Sequence, residues 1–201
     1  MRIVAVEKLP NKTKRFRIRL DNGADFVLYQ GEVRRLGCME GEELSEEEYR
    51  RIIEEILLPR AKQRTLYLLE KQDRTEHGLR QKLKEGGYPE EVIDGAVAYA
   101  ASCHYIDDER YAENYVYFHK ANRSRQRLKQ DMLGKGIAKE IADAALDAGY
   151  ETDECALIAQ LMEKKHYDPQ TADVKEKAKM YRFLAGRGFA RGDITDMLKG
   201  Q

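Results

Sequence analysis

Apolar positions along the chain follow two different periods. In the first thirty residues they come as short runs, Ile3 to Val6, Phe16 to Leu20 and Phe26 to Tyr29. In the second run Phe16, Ile18 and Leu20 alternate with Arg15, Arg17 and Arg19, the period of two that gives a strand one packed and one solvated face. Asp21-Asn22-Gly23 between the last two runs is a hairpin signal. A small β-hairpin module is therefore predicted over residues 1–44. Its arginine face reads either as plain solvated surface or as a binding surface.

From residue 45 the period becomes helical. Ser45 with Glu48 three residues on forms a capping box ahead of Tyr49, Ile52, Ile53, Ile56 and Leu57. This linking helix is assigned to residues 45–60. Pro59 is expected to separate it from the next helix, which carries Leu66 and Leu69 with the basic residues Arg60, Lys62 and Arg64.

The remainder repeats itself. LRQKLKEGGYPEEVI (from Leu79), LKQDMLGKGIAKEIA (from Leu128) and MYRFLAGRGFARGDI (from Met180) superimpose without gaps. Each places an apolar residue, then Leu83, Met132 or Leu184, then Gly87, Gly136 or Gly188, then Tyr88, Ile137 or Phe189. That order spells helix, left-handed glycine cap, apolar anchor and new helix. Upstream, YIDDE from Tyr105 recurs as YETDE from Tyr150, each opening a helix with acids that the macrodipole favours. Tyr111, Tyr115 and Phe118 are expected on one apolar stripe, and Leu157, Ile158 and Leu161 on its later counterpart. The unit thus has three helices, with copies at 61–106, 107–152 and 153–201, the last one's third helix cut short. The fold expected is mainly α, tandem three-helix repeats in an elongated crescent behind the β module.

Composition changes this picture little. The chain has 201 residues, enough for a real core, and its 36 basic and 36 acidic side chains cancel, so any contact with a polyanion must come from local patches. No apolar stretch approaches the ~20 residues of a membrane span, and a cytoplasmic protein is expected. Cys38, Cys103 and Cys155 are widely spaced and odd in number, which suits a reducing compartment and buried thiols. The four histidines never fall in HxxxH or HExxH spacing, so no metal or other cofactor is expected.

Possible catalytic motifs dissolve into structure. GRGFARG at Gly186 misplaces the third glycine of a dinucleotide fingerprint and follows no strand. Gly134-Lys135-Gly136 lacks the spacing of a Walker loop. Asp107, Asp108 and Glu109 are adjacent and point apart on a helix, which fits an N-terminal cap better than a metal cluster. No nucleophile–base set stands out, and no enzymatic activity is expected.

The basic clusters are the candidate interface. Arg123, Arg125, Arg127 and Lys129 lie in a segment whose only acid is Asp131, with Arg123, Arg127 and Gln130 expected on one outward stripe. Arg74, Arg80 and Lys82 hold the equivalent helix of the first repeat. They read either as solvated faces or as sites for an anionic or acidic partner.

RTEHGLRQKL with the following GGYP, YIDDERYAENYV and RSRQRLKQDMLGKGI, in that order, resemble the RecX family of recombination regulators, with its arginine-led Ser/Thr-Glu segments, (L/I)-D-D-x-R-(F/Y)-A stretch and K-G-(I/V) turn. The likeness runs from Ala61 to the C-terminus, and the β module with LGCMEGEEL is similar to the N-terminal extension of longer members. Thr75 replaces a common serine and keeps the capping hydroxyl. The resemblance implies a non-catalytic protein that binds RecA and its filament on single-stranded DNA; a monomer is expected. Such a protein would restrain strand exchange, nucleotide hydrolysis and the repressor cleavage of the SOS response. The competing readings are a helix-turn-helix regulator that binds DNA directly through Arg123 to Lys129, and a hydrolase whose site assembles from distant residues.

Overall fold

The computed structural model describes residues 1–10 and 14–199. It forms two compact units, Met1–Asp107 and Asp108–Gln201.

In the first unit β1 (Ile3–Lys8), β2 (Arg15–Leu20) and β3 (Asp25–Tyr29) form an antiparallel meander. Ile18 pairs with Val6 on one side and Phe26 on the other. The alternation works as expected: Ile18, Leu20, Phe26 and Leu28 are buried, while Arg17 pairs with Asp25 at 3.4 Å and Arg19 with Glu7 at 2.6 Å. Gly23 makes the turn at φ +85°. A short helix that the sequence pattern did not suggest, α1 (Gln30–Arg35), follows. Then comes α2 (Glu46–Arg51), opened by the expected capping box, with the Glu48 amide donating to Ser45 Oγ at 3.2 Å and the Ser45 amide donating to Glu48 Oε2 at 2.9 Å.

The separation expected at Pro59 is absent. Helix α2 widens into π-helical turns over Ile52–Leu57 and continues as α3 (Leu58–Lys71), with Pro59 in the first turn of α3. Proline lacks an amide proton, and its ring crowds the carbonyl four residues back. Here the preceding turn is already wide, the Leu58 amide reaching five residues back to the Ile53 carbonyl. The segment assigned as a linker thus runs unbroken into the first helix of the first repeat. That repeat is completed by α4 (Glu76–Glu85) and α5 (Glu90–Ser102).

The β module does not have a core of its own. Ile3, Ile18, Phe26 and Leu28 share one apolar cluster with Leu57, Ala61, Leu83 and Ile93. Arg60 locks the contact, ion-paired with Glu32 and lying 4.6 Å over the Tyr29 ring. The sharp change of composition before the acidic helix would suit a module that folds semi-independently, and this shared core does not fit that.

The second unit contains α6 (Asp108–His119), α7 (Arg125–Gly134), α8 (Lys139–Gly149), α9 (Glu154–Glu163), α10 (Val174–Ala185) and α11 (Arg191–Lys199). Helices α6 to α8 surround one core and α9 to α11 another. On α6 the buried face is Ala112 and Val116 with Tyr111 and Tyr115 at its edge. Phe118, expected on that stripe, is 70% exposed, because it falls two residues past Val116 and so a large rotation around the helix. Leu157, Ile158 and Leu161 are buried as expected. Of the thiols only Cys38 is buried; Cys103 and Cys155 are exposed, against expectation, Cys103 because it caps the end of α5 and Cys155 because it lies in the first turn of α9.

The three repeat glycines have φ of +81° (Gly87), +81° (Gly136) and +83° (Gly188). After α7 the Gly136 amide donates to Leu133 O at 2.9 Å and the Ile137 amide to Met132 O at 3.1 Å. This is a Schellman closure, and it seats Ile137 in the core. The amides around Lys135 are thereby spent on the helix's own carbonyls.

Gly136→Val is expected to cost about 1–2 kcal/mol from the left-handed backbone alone. Gly188→Ala should cost more, because its Cβ would stand 2.6 Å from Arg127 Cβ and 2.8 Å from Ser124 Oγ. Denaturant midpoints measure both, and unshifted midpoints would contradict the assignment. Deleting residues 1–44 should uncover the shared core and strip hydrogen-exchange protection from α3, α4 and α5, leaving protection in α6 to α11 intact. Full protection throughout would mean that the module folds apart after all.

Candidate protein and nucleic-acid interface

The second helix of each of the first two repeats is fixed by a buried hydroxyl at its N-terminus. Thr75 Oγ1 accepts the Gly78 amide at 3.0 Å, and Ser124 Oγ accepts the Arg127 amide at 3.1 Å. Thr75 therefore does what the expected serine would do. Asp108 begins α6 and Asp107 precedes it, where the sequence placed a helix start.

The predicted basic residues are not the unpaired stripe their segment suggested. On α4, Arg80 bridges Glu76 at 2.8 Å, Asp94 at 2.6 Å and Glu90 at 3.4 Å, and Lys82 pairs with Glu85 at 2.7 Å. Arg123 lies before the cap of α7 and folds back onto Asp131, which also takes Arg127 at 3.0 Å. Arg125 pairs with Asp147, and Lys129 with Asp143 at 2.5 Å. Under the superposition of the repeats, Arg80 and Asp94 occupy the places of Lys129 and Asp143. The recurring charge therefore ties the second helix of a repeat to its third. The third repeat carries Tyr181 and Thr195 at those places.

Arg74 differs from its counterpart Arg123. The position equivalent to Asp131 holds Lys82 in the first repeat, and Arg74 has no ion pair among the described residues, its Nε being buried without a partner.

Other cations are less committed. On α3, Lys62 lies 4.9 Å over the Tyr99 ring of α5, and Arg64 and Lys71 flank Tyr67 at 5.3 and 5.6 Å. None of these three basic residues makes an ion pair among the described residues, and Tyr67 is 50% exposed beside exposed Leu66. Cations interleaved with an exposed aromatic side chain suit phosphates or an acidic protein surface. The sequence signal was available: Arg64, Tyr67 and Lys71 follow three- and four-residue steps along one helix face. Among the described residues no three His, Cys, Asp or Glu side chains gather as they would around a metal ion, and no helix is long and apolar enough to cross a membrane.

Comparison with known proteins gives this arrangement a family. Three domain models match in chain order: RecX, first three-helix domain, at residues 61–99; RecX, second three-helix domain, at 107–146; and RecX, third three-helix domain, at 151–198. The chain belongs to the RecX family. The regulatory protein RecX of Actinobacillus pleuropneumoniae is 38% identical over 134 residues, covering 66% of this chain and 87% of its own. That of Clostridium acetobutylicum is 28% identical over 202 residues, covering 98% and 94%. A crystal structure of regulatory protein RecX aligns at 27% identity with a TM-score of 0.60, covering 100% of this chain and 99% of the other. A RecX structure from Lactobacillus salivarius shares the fold at 22% identity, TM-score 0.53, over 72% of this chain and 96% of its own. The resemblance read from the motifs is thus confirmed, as are the mainly helical fold of three RecX three-helix domains and the small N-terminal sheet. A regulatory role follows from the relatives.

The hydrogen bond from Lys129, followed by its charge, holds the Asp143 carboxyl below the usual carboxylate range. Because the folded value lies below the unfolded one of about 3.9, the pair's stabilisation is complete above that unfolded value and is lost as pH falls through the folded value. Carboxyl NMR titration of Lys129→Ala should show Asp143 returning towards its ordinary range. An unmoved titration would remove the pair.

Proposed function

We propose that this RecX protein binds the RecA recombinase and its filament on single-stranded DNA, and that it restrains strand exchange, nucleotide hydrolysis and repressor cleavage without catalytic activity of its own. It would act in the cytoplasm as a monomer. The observation that carries this reading is the ordered match to all three RecX domains, residues 61 to 198, in relatives that are regulatory proteins. The surface supports it: Lys62, Arg64 and Lys71 are cations without carboxylate partners among the described residues, the last two flanking exposed Tyr67 and Lys62 lying over half-buried Tyr99. Arg74, which has no ion pair among the described residues to give up, adds to the contact with Arg80, Lys82, Arg123, Arg125, Arg127 and Lys129; the exposed pairs of Arg80, Lys82 and Arg125 are worth only about 0–1 kcal/mol and can be exchanged for a partner's charge.

Reversing Arg123 and Arg127 would be a poor probe, because Asp131 would then face two carboxylates. Arg64→Glu with Lys71→Glu is cleaner, both side chains being exposed. The wild type should slow RecA-driven strand exchange and ATP hydrolysis, and the folded double variant should inhibit several-fold less. A wild type without effect on RecA would overturn the functional reading. A folded variant that inhibits fully would take the α3 face out of the contact.

A further inference from the structure

Where the third repeat meets the second, inside the second unit, an open hollow of about 360 Å³ is lined by His119, Asn122, Arg123, Arg127, Gly186 and Arg187. Three of these are arginines and none is a carboxylate. Asp131 answers Arg123 and Arg127 together. Arg187 has no carboxylate partner among the described residues. Its Cζ lies 3.7 Å from the centroid of the Phe183 ring, one of its terminal nitrogens donates to the Phe183 carbonyl at 3.2 Å, and its Nε is buried without a partner. Burial, and then the nearby Arg123 charge, push the Arg187 guanidinium below its ordinary range. The cluster thus holds two positive charges more than its one acid answers. The Ser124 amide donates to Arg187 O at 3.1 Å and the Ser124 hydroxyl to Gly188 O at 2.7 Å, pinning the turn that carries Arg187 against the start of α7.

We infer that this hollow is a phosphodiester site for single-stranded nucleic acid. The guanidinium groups offer only donors, in the planar fork that matches phosphate oxygens, and Asn122 adds an amide donor. A protein carboxylate carries the same single charge as a phosphodiester, but the hollow offers no apolar side chain against which the rest of a peptide could pack. Its one ring, His119, is already stacked on Tyr115, so recognition is of the backbone and independent of sequence. The site deepens the reading of the chain as a regulator of a DNA-bound filament, and it rests on that reading only for its biological setting, because it can be tested on free DNA.

The test is fluorescence anisotropy of a labelled oligo-deoxythymidine titrated with the full-length protein over a salt series. Arg127→Gln with Arg187→Gln should weaken binding roughly tenfold at low salt. Each lost phosphate contact should lower the slope of log affinity against log salt by about 0.7. Lys175→Gln with Lys179→Gln removes the same charge from α10 outside the hollow and should do little. Arg127→Gln alone, at an exposed position, keeps the test open if the double variant is unstable by circular dichroism: a several-fold loss is expected. Unchanged affinity and slope, or a loss equal to that of the lysine variant, would overturn the site. Loss of capture by DNA-free RecA with oligonucleotide affinity intact would assign the hollow to a protein carboxylate instead. Failure of the wild type to engage RecA, with oligonucleotide binding lost in the variants, would sink the regulatory reading and leave the site standing.

Discussion

The left-handed turn that closes the second helix of each repeat is the constraint on which the rest of this structure depends. At Gly87, Gly136 and Gly188 it ends a helix, turns the chain and delivers Tyr88, Ile137 or Phe189 onto the core. At two of the three it does more. A Cβ on Gly87 would collide with Val27 of β3, and one on Gly188 with Ser124 and Arg127 of α7. The missing side chain is therefore the socket in which the neighbouring element sits, the sheet in one unit and the preceding repeat in the other. The same closure recurs at the ends of α5 and α9, where His104 and His166 take it at φ +55° and +52° and the following tyrosine amides reach back to Ala100 O and Met162 O. Those turns meet no such socket requirement in the glycine positions' sense, and histidine accepts the modest cost of the left-handed region.

Electrostatics plays two roles that look alike along the chain. A basic residue three positions before the next apolar one can be bait for a partner or one end of an internal tie. Arg80 and Lys129 are ties: their acids, Asp94 and Asp143, lie one helix further on at the same repeat position. The third repeat, where Tyr181 and Thr195 stand, lacks the pair, and its helices share an apolar core that includes Met180, Leu184, Phe189, Ile194 and Leu198. Among the described residues, cations without a carboxylate partner sit elsewhere, among them Lys62, Arg64 and Lys71 on α3, Arg74 and Arg187.

Most of the fold was legible because it is local. Strand alternation at Phe16–Leu20, the Ser45–Glu48 capping box, the hydroxyl caps and the glycine turns each act within about six residues, and repetition of the last made the three-helix unit visible. What was hidden is long-range. The shared core of the β module needs Phe26 beside Leu57 and Ile93, and the ties of Arg80 to Asp94 and of Lys129 to Asp143 cross from one helix to the next. Pro59 failed as a boundary for a different reason: a breaker breaks only a regular helix, and the π-helical turns before it had already made room. Arg187 carried no signal at all, since its place in the hollow is set by hydrogen bonds from Ser124, far away in sequence.

Ser124 shows how the repeat's structural and functional parts are joined. Its side chain caps α7 by accepting the Arg127 amide, and its hydroxyl proton and amide both go to the turn of the third repeat, at Gly188 O and Arg187 O. One buried residue thereby sets the distance between Arg127 at the start of one helix and Arg187 at the end of another. In the first repeat Thr75 keeps the cap, but there the flanking arginine, Arg74, has no Asp131 equivalent to hold it. Repetition supplies the cap, and the differences between copies decide which arginines are held by the protein's own carboxylates and which remain available to an anion.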